Sequence, residues 1–272
     1  MLLNNMKKGF ELLGEAIESG FIRTKQTTLS TFALSFLAGA YVALGGFFAI
    51  RLGMAIPWEY GKILFAMVFP IGLMLVVICG ADLFTGNCMT LVASQSYGRN
   101  GLFEVCRSLV YSWIGNFIGG IFVAYFLVYS TGLIFETING SMVYADGIIK
   151  LANTKTSLDF KEAFLRGVGC NWLVCLAVYA SYASKDVIGK IVALWIPTMA
   201  FVAMGFEHCV ANMFFVPLGI LVGHSESYVG YIELVANWGT FFVDNLIPVT
   251  LGNFVGGSML VTGLYKLVYG KP

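Results

Sequence analysis

The stretch Gly205–Asn212, GFEHCVAN, sets a carboxylate and an imidazole side by side inside an apolar run from Ile191 to Val222. In such a run both groups are costly unless they find partners or face water, so a functional role is the default reading. Glu207 and His208 can serve three chemistries: an acid–base pair, ligands to a metal, or a polar station for an ion crossing the membrane. The first half of the chain echoes the stretch. Gly80–Asn87 reads GADLFTGN, again inside a long apolar run, and its Gly80, Asp82 and Asn87 match Gly205, Glu207 and Asn212. A second matched pair follows in the same order, GNFIGG at Gly115–Gly120 and GNFVGG at Gly252–Gly257. Two motifs kept in order across two halves point to an internal duplication.

The elements that carry these residues are expected to be membrane spans. With 58% hydrophobic residues, 11% charged residues and a mean hydropathy of +0.82, the 272-residue chain reads as an integral membrane protein. A net charge of +1 gives nucleic acid nothing to bind. The six cysteines show no CxxC or zinc spacing and read as small buried hydrophobes, and two histidines are too few for a bis-histidine multi-haem protein. No metal or other cofactor is expected.

Six spans are expected, at about 31–52, 63–93, 108–135, 163–183, 191–222 and 239–269. The second and fifth run to about thirty residues where about twenty suffice, and these two hold the acid-to-Asn motifs. Excess length interrupted by Gly and polar residues predicts broken helices whose freed backbone lines a cavity. Residues 1–30 are expected to form a separate cytoplasmic amphipathic helix, with Leu2, Leu3, Met6, Phe10, Leu13, Ala16 and Ile17 near one face. It would lie on the membrane surface or pack on a partner subunit. Residues 31–272 would then be the channel domain. With the N-terminus inside, the cytoplasmic segments carry ten Lys and Arg and the outer segments six, so both termini are expected in the cytoplasm. Three spans per half make the halves inverted relative to each other.

Asp82 and Glu207 have a structural reading, as acceptors for the first N–H groups of the half-helices that follow, and Asn87 and Asn212 would satisfy freed backbone or line a pore. Two half-helix N-termini aimed at one site favour an anion there. Thr85 and His208, one at each break, would offer it a hydroxyl and an imidazole. Asn171, inside the fourth span, would face the pore or another helix. Phe69, Leu73, Phe84 and Phe201 read as packing and equally as hydrophobic constrictions. Lys155 reads as a solvated loop lysine before the fourth span. The small-residue pairs Gly115/Gly119 and Gly252/Gly256 predict close crossings of the third and sixth spans.

GADLFTGN, NWLVCLAVYAS, MAFVAMGFEHCVANMFFVPLGI and DNLIPVTLGNFVGG together resemble the formate/nitrite transporter family, from about Thr31 to Tyr269. The resemblance implies an all-α, aquaporin-like six-helix protomer, a homopentamer with one pore per protomer in a prokaryotic inner membrane, and passage of formate, nitrite or hydrosulfide. It makes His208 the central pore residue, Thr85 its neighbour, and Glu207 and Asn212 their structural partners. It sets Asn171 and Lys155 around the outer mouth and the histidine, Leu73 and Phe201 at constrictions, and Asn253 near the pore. A neutral His208 would hydrogen-bond the anion and a protonated one would hand it a proton. Two other classes stay open at this point: an aquaporin-like conduit for neutral solutes, and a membrane enzyme using Glu207 and His208.

Overall fold

The computed structural model describes residues 9–270. Expectations placed on residues 1–8, including Leu2, Leu3 and Met6, lie outside the described residues. Among the described residues ten helices follow one another, besides one short 3-10 helix at Leu133–Phe135, and there is no strand. They are α1 (Gly9–Thr24), α2 (Thr28–Gly53), α3 (Trp58–Ile78), α4 (Phe84–Ser96), α5 (Leu102–Tyr129), α6 (Val143–Thr156), α7 (Phe160–Ser181), α8 (Val187–Ala203), α9 (Cys209–Gly223) and α10 (Trp238–Tyr269). Five of them (α2, α3, α5, α7 and α10) are long and apolar enough to cross a membrane, and α8 and α9 are shorter apolar helices. α3 bends at Phe69–Pro70, where proline withholds the N–H that a straight helix needs.

The expected breaks fall inside the two acid-to-Asn motifs. α3 ends at Ile78 and α4 starts at Phe84, while α8 ends at Ala203 and α9 starts at Cys209. Each first piece is closed by a glycine in the left-handed region, Gly80 at φ 75° and Gly205 at φ 72°. The N–H after each glycine reaches back over the turn, Ala81 to Val76 O at 2.9 Å and Phe206 to Phe201 O at 3.0 Å. Only glycine takes this backbone without strain, so the first matched residue of both motifs is a helix stop.

The packing repeats as well. α2 packs on α5 as α7 packs on α10, α2 on α3 as α7 on α8, and α1 on α4 as α6 on α9. At Gly119 an added Cβ would stand 2.1 Å from Phe36 O, and at Gly252 it would stand 2.1 Å from Phe164 O. These small-residue pairs therefore bring α5 onto α2 and α10 onto α7 inside one chain.

Two segments differ from expectation. α1 lies on its own chain's α4: Leu13, Ala16 and Gly20 are buried, and a Cβ on Gly20 would sit 1.9 Å from Thr90 O. Phe10, expected on the buried face, is 58% exposed. Lys155 is in the last turn of α6, a helix between the third and fourth spans that the hydropathy pattern does not reveal. Its apolar side (Tyr144, Ile148, Ile149 and Ala152) is buried against α9, as α1 is against α4.

Buried asparagines hold the breaks open. Asn253 Nδ2 donates to Gly167 O at 2.8 Å and Glu207 O at 2.9 Å, and its Oδ1 accepts the Cys209 N–H at 2.9 Å. Asn116 makes the same three bonds in the other half, to Ser35 O, Asp82 O and the Phe84 N–H, at 2.7, 3.1 and 2.9 Å. Each clamp ties the end of a break and the first N–H of the half-helix after it to a neighbouring span. Asn253→Ala would strand two buried backbone groups, Glu207 O and the Cys209 N–H, each worth about 1–3 kcal/mol. We expect it and Asn116→Ala to lower the unfolding temperature in detergent by on the order of 10 °C. A wild-type melting curve for either variant would refute the clamp.

Candidate functional site

His208 is the N-cap of α9, and its Nδ1 accepts the Ala211 N–H at 3.0 Å. That bond leaves Nδ1 without a proton, so the neutral ring carries its proton on Nε2. Nε2 faces Thr85 Oγ1 at 3.1 Å, across from the first turn of α4. Donation therefore runs from the imidazole to the hydroxyl, which keeps its own hydrogen for another acceptor. Thr85 is wholly buried and His208 nearly so. Their contact joins the two breaks, and it brings together the two residues expected to meet there.

A cavity of about 390 Å³ ends on His208, with Phe69, Phe201, Lys155, Glu207 and Asn212 also in its wall. The Phe201 ring stacks on His208 with centroids 5.8 Å apart, and Phe69 sets its edge to Phe201 at 6.1 Å. Two of the four expected constriction residues thus flank the histidine. Leu73 and Phe84 are buried but do not line this cavity. A second cavity, of about 310 Å³, opens beside α1 and reaches Gly80 at the other break.

The two acids do not cap the half-helices as expected, because the Asn116 and Asn253 side chains already occupy the Phe84 and Cys209 N–H groups. Each acid instead pairs with a cation and anchors an asparagine. Lys155 Nζ donates to Glu207 Oε1 at 2.9 Å and Oε2 at 3.1 Å. Asn212 Nδ2 donates to Glu207 Oε2 at 2.6 Å. In the first half Arg23 pairs with Asp82, and Asn87 Nδ2 donates to Asp82 Oδ1 at 2.7 Å. Lys155, at 12% side-chain exposure, is therefore a buried ion-pair partner rather than a solvated loop lysine. Asn171 sits deeper than the mouth: its Nδ2 donates to Thr85 O at 3.1 Å and Asn253 O at 2.6 Å, fixing the residue that faces His208.

Four partners are not evident from residue types alone. Arg23 and Lys155 each stand five residues before a span begins, at Thr28 and Phe160, and that matched spacing is the signal that pairs them. Asn116 was visible as the match of Asn253 in the GNF motifs. Asn245 accepts from Asn212 at 2.7 Å and donates to Lys155 O at 2.9 Å and Glu207 Oε2 at 3.3 Å, and nothing in its sequence neighbourhood announces this.

A halved, repeated helical chain with a buried imidazole–hydroxyl contact between its breaks has close counterparts. The family model described as "Formate/nitrite transporter" matches residues 11–267. The chain belongs to the formate/nitrite transporter family. Among curated proteins it is 46% identical over 257 residues to a "Probable formate transporter" of Methanothermobacter thermautotrophicus, a match covering 88% of each chain. Among solved structures it is similar to an "FNT family ion channel" at a TM-score of 0.83 and 28% identity, covering 96% of this chain and 99% of that one. It is also similar to a "Pentameric formate channel with formate bound" at a TM-score of 0.77 and 31% identity, covering 90% and 98%. The chain is thus a multi-pass membrane protein of a transporter family. The same relatives decide against the membrane-enzyme alternative, since they are named as transporters and channels.

Proposed function

We propose that this formate/nitrite transporter family member conducts small monovalent anions, formate first among them, with nitrite and hydrosulfide as the competing substrates. The observation that carries the reading is the His208–Thr85 contact at the junction of two half-helix N-termini, beneath an aromatic-walled cavity. The dipoles of α4 and α9 favour negative charge there, and the Thr85 hydroxyl hydrogen, left over from its bond with Nε2, is available to a carboxylate. The Phe69 and Phe201 rings make the last stretch dry, where a bare anion is costly and a protonated one is not.

Proton handover would involve His208. An imidazolium needs a proton on Nδ1, so the ring must release the Ala211 N–H. Protonation and the cap of α9 are thereby coupled. Six crossings in an aquaporin-like inverted repeat, both termini in the cytoplasm and an inner membrane of a prokaryote complete the reading, with the α1 cavity as the cytoplasmic mouth. Residues 1–30 then form a cytoplasmic segment whose helix rests on the channel body of residues 31–272. The pentameric assembly of the similar formate channel supports a homopentamer here, with one pore per protomer.

The test is flux of formate, nitrite and hydrosulfide into proteoliposomes across about pH 5 to 8, where histidine titrates. Saturable, pH-dependent formate flux is expected. Passage of neutral solutes such as glycerol without formate flux would replace this reading with the neutral conduit.

A further inference from the structure

The two halves satisfy their acids differently. In the second half Glu207 Oε2 accepts from Asn245 as well as from Lys155 and Asn212. Asn245 Oδ1 in turn accepts from the Asn212 amide, which thereby makes two bonds. Asn245 stands eight residues before the clamp residue Asn253, and Ser108 stands eight residues before Asn116. Both are buried, and a leucine follows each. Serine is shorter by the amide group, and the hydrogen bonding of the first half falls short to match. Asp82 Oδ2 and Ser108 Oγ are buried with no partner among the described residues, and each residue is only 1% exposed. The Asn87 amide makes one bond, to Asp82 Oδ1, where its counterpart Asn212 makes two. Asn87 Oδ1 and Asn212 Oδ1 both lack a donor, so that feature does not separate the halves. Arg23, which pairs with Asp82, is in the last turn of α1, about 20 Å along that helix from Gly9.

We propose that one ordered water is a built-in part of the first break. It bridges Asp82, Asn87 and Ser108 as the Asn245 amide bridges Glu207 and Asn212 in the second. The water accepts from Asn87 Nδ2, in the role of Asn245 Oδ1. It donates to Asp82 Oδ2, in the role of Asn245 Nδ2, and its other hydrogen goes to Ser108 Oγ. Three partners are usual for a buried water, and the amide that serine lacks is close in size to the ~30 Å³ share of one water. A cation is disfavoured there, because the Arg23 guanidinium already balances the Asp82 charge and would repel a second cation at close range. The Asn87 N–H would also point at it. The two breaks then differ in kind. The one that carries His208 is closed by protein amides alone, the other by a molecule that can exchange.

A high-resolution map of the wild-type assembly tests this, together with Ser108→Asn, which copies the second half. The wild-type map should show one peak about 2.5–3.0 Å from both Asp82 Oδ2 and Ser108 Oγ. In Ser108→Asn the side-chain amide should replace that peak. Release of an immobilised water should raise the unfolding temperature of the variant by about 2–4 °C. A wild-type map without the peak overturns the proposal. An anomalous signal at that place after a rubidium soak also overturns it, since the site would then hold a cation. So does an assembled Ser108→Asn variant that retains the peak or melts below wild type. The wild-type map and the rubidium soak need no variant, and they decide the matter if Ser108→Asn does not assemble.

Discussion

Glu207→Ala is expected to lower the unfolding temperature in detergent by on the order of 10 °C and to abolish flux with it. The carboxylate is 6% exposed and holds three side chains: Lys155, Asn212 and Asn245. Its removal leaves the Lys155 ammonium, 12% exposed, without a counter-charge, and takes one of two acceptors from each of two buried amides, which keep Asn245 Oδ1 and Lys155 O. Breaking a buried pair from one side costs about 3–5 kcal/mol. Because both partners are nearly buried, solvent screening does not soften that figure. Glu207→Gln keeps hydrogen-bond acceptance but not charge, so it should fall between wild type and alanine. A fully stable Glu207→Ala assembly with abolished flux would mean that the carboxylate acts on the permeating species itself.

His208→Asn should leave a folded assembly whose flux no longer depends on pH. Asparagine is among the best N-caps, and its side-chain oxygen can accept the Ala211 N–H as Nδ1 does. The start of α9 is therefore preserved while the titrating ring is lost. The ring also stacks on Phe201 and reaches Thr85, so some loss of rate is expected at every pH. The decisive quantity is the ratio of flux at about pH 5.5 to that at about 7.5, which should fall to about one. Flux paired with current in proteoliposomes reads it: anion that still crosses would carry net charge, since no proton travels with it. Wild-type pH dependence in this variant would remove His208 from any proton handover.

The duplication ties the two predictions together. Both acids keep their place, and each has a cation five residues ahead of a span and an asparagine five residues on. The histidine has no such echo, since Leu83 stands at the matching place. A residue needed to hold a break would be expected in both halves. One present in a single half has a task that the fold does not require twice.

The sequence by itself determined the membrane class, the duplication, both breaks and the residues that meet there. The physical reason is that each is a local property. Apolar length specifies a span, an ionisable group inside it demands a partner, and a glycine before the acid stops the helix through its own φ. Thr85 and His208 could be placed together because each sits at the break within its own motif. Partnership was decided only by the tertiary structure. Asn116 and Asn253, rather than Asp82 and Glu207, take the orphan N–H groups, because α5 and α10 pass close enough for a short amide to reach the start of each second half-helix. Lys155 is an ion-pair partner because α6 buries its apolar face on α9, a helix too short and too polar for its hydropathy to reveal. Arg23 reaches Asp82 because α1 docks on α4 through the close approach at Gly20, which sequence distance conceals. Partner choice depends on which backbones come within side-chain reach, and in this chain most such contacts join residues tens of positions apart.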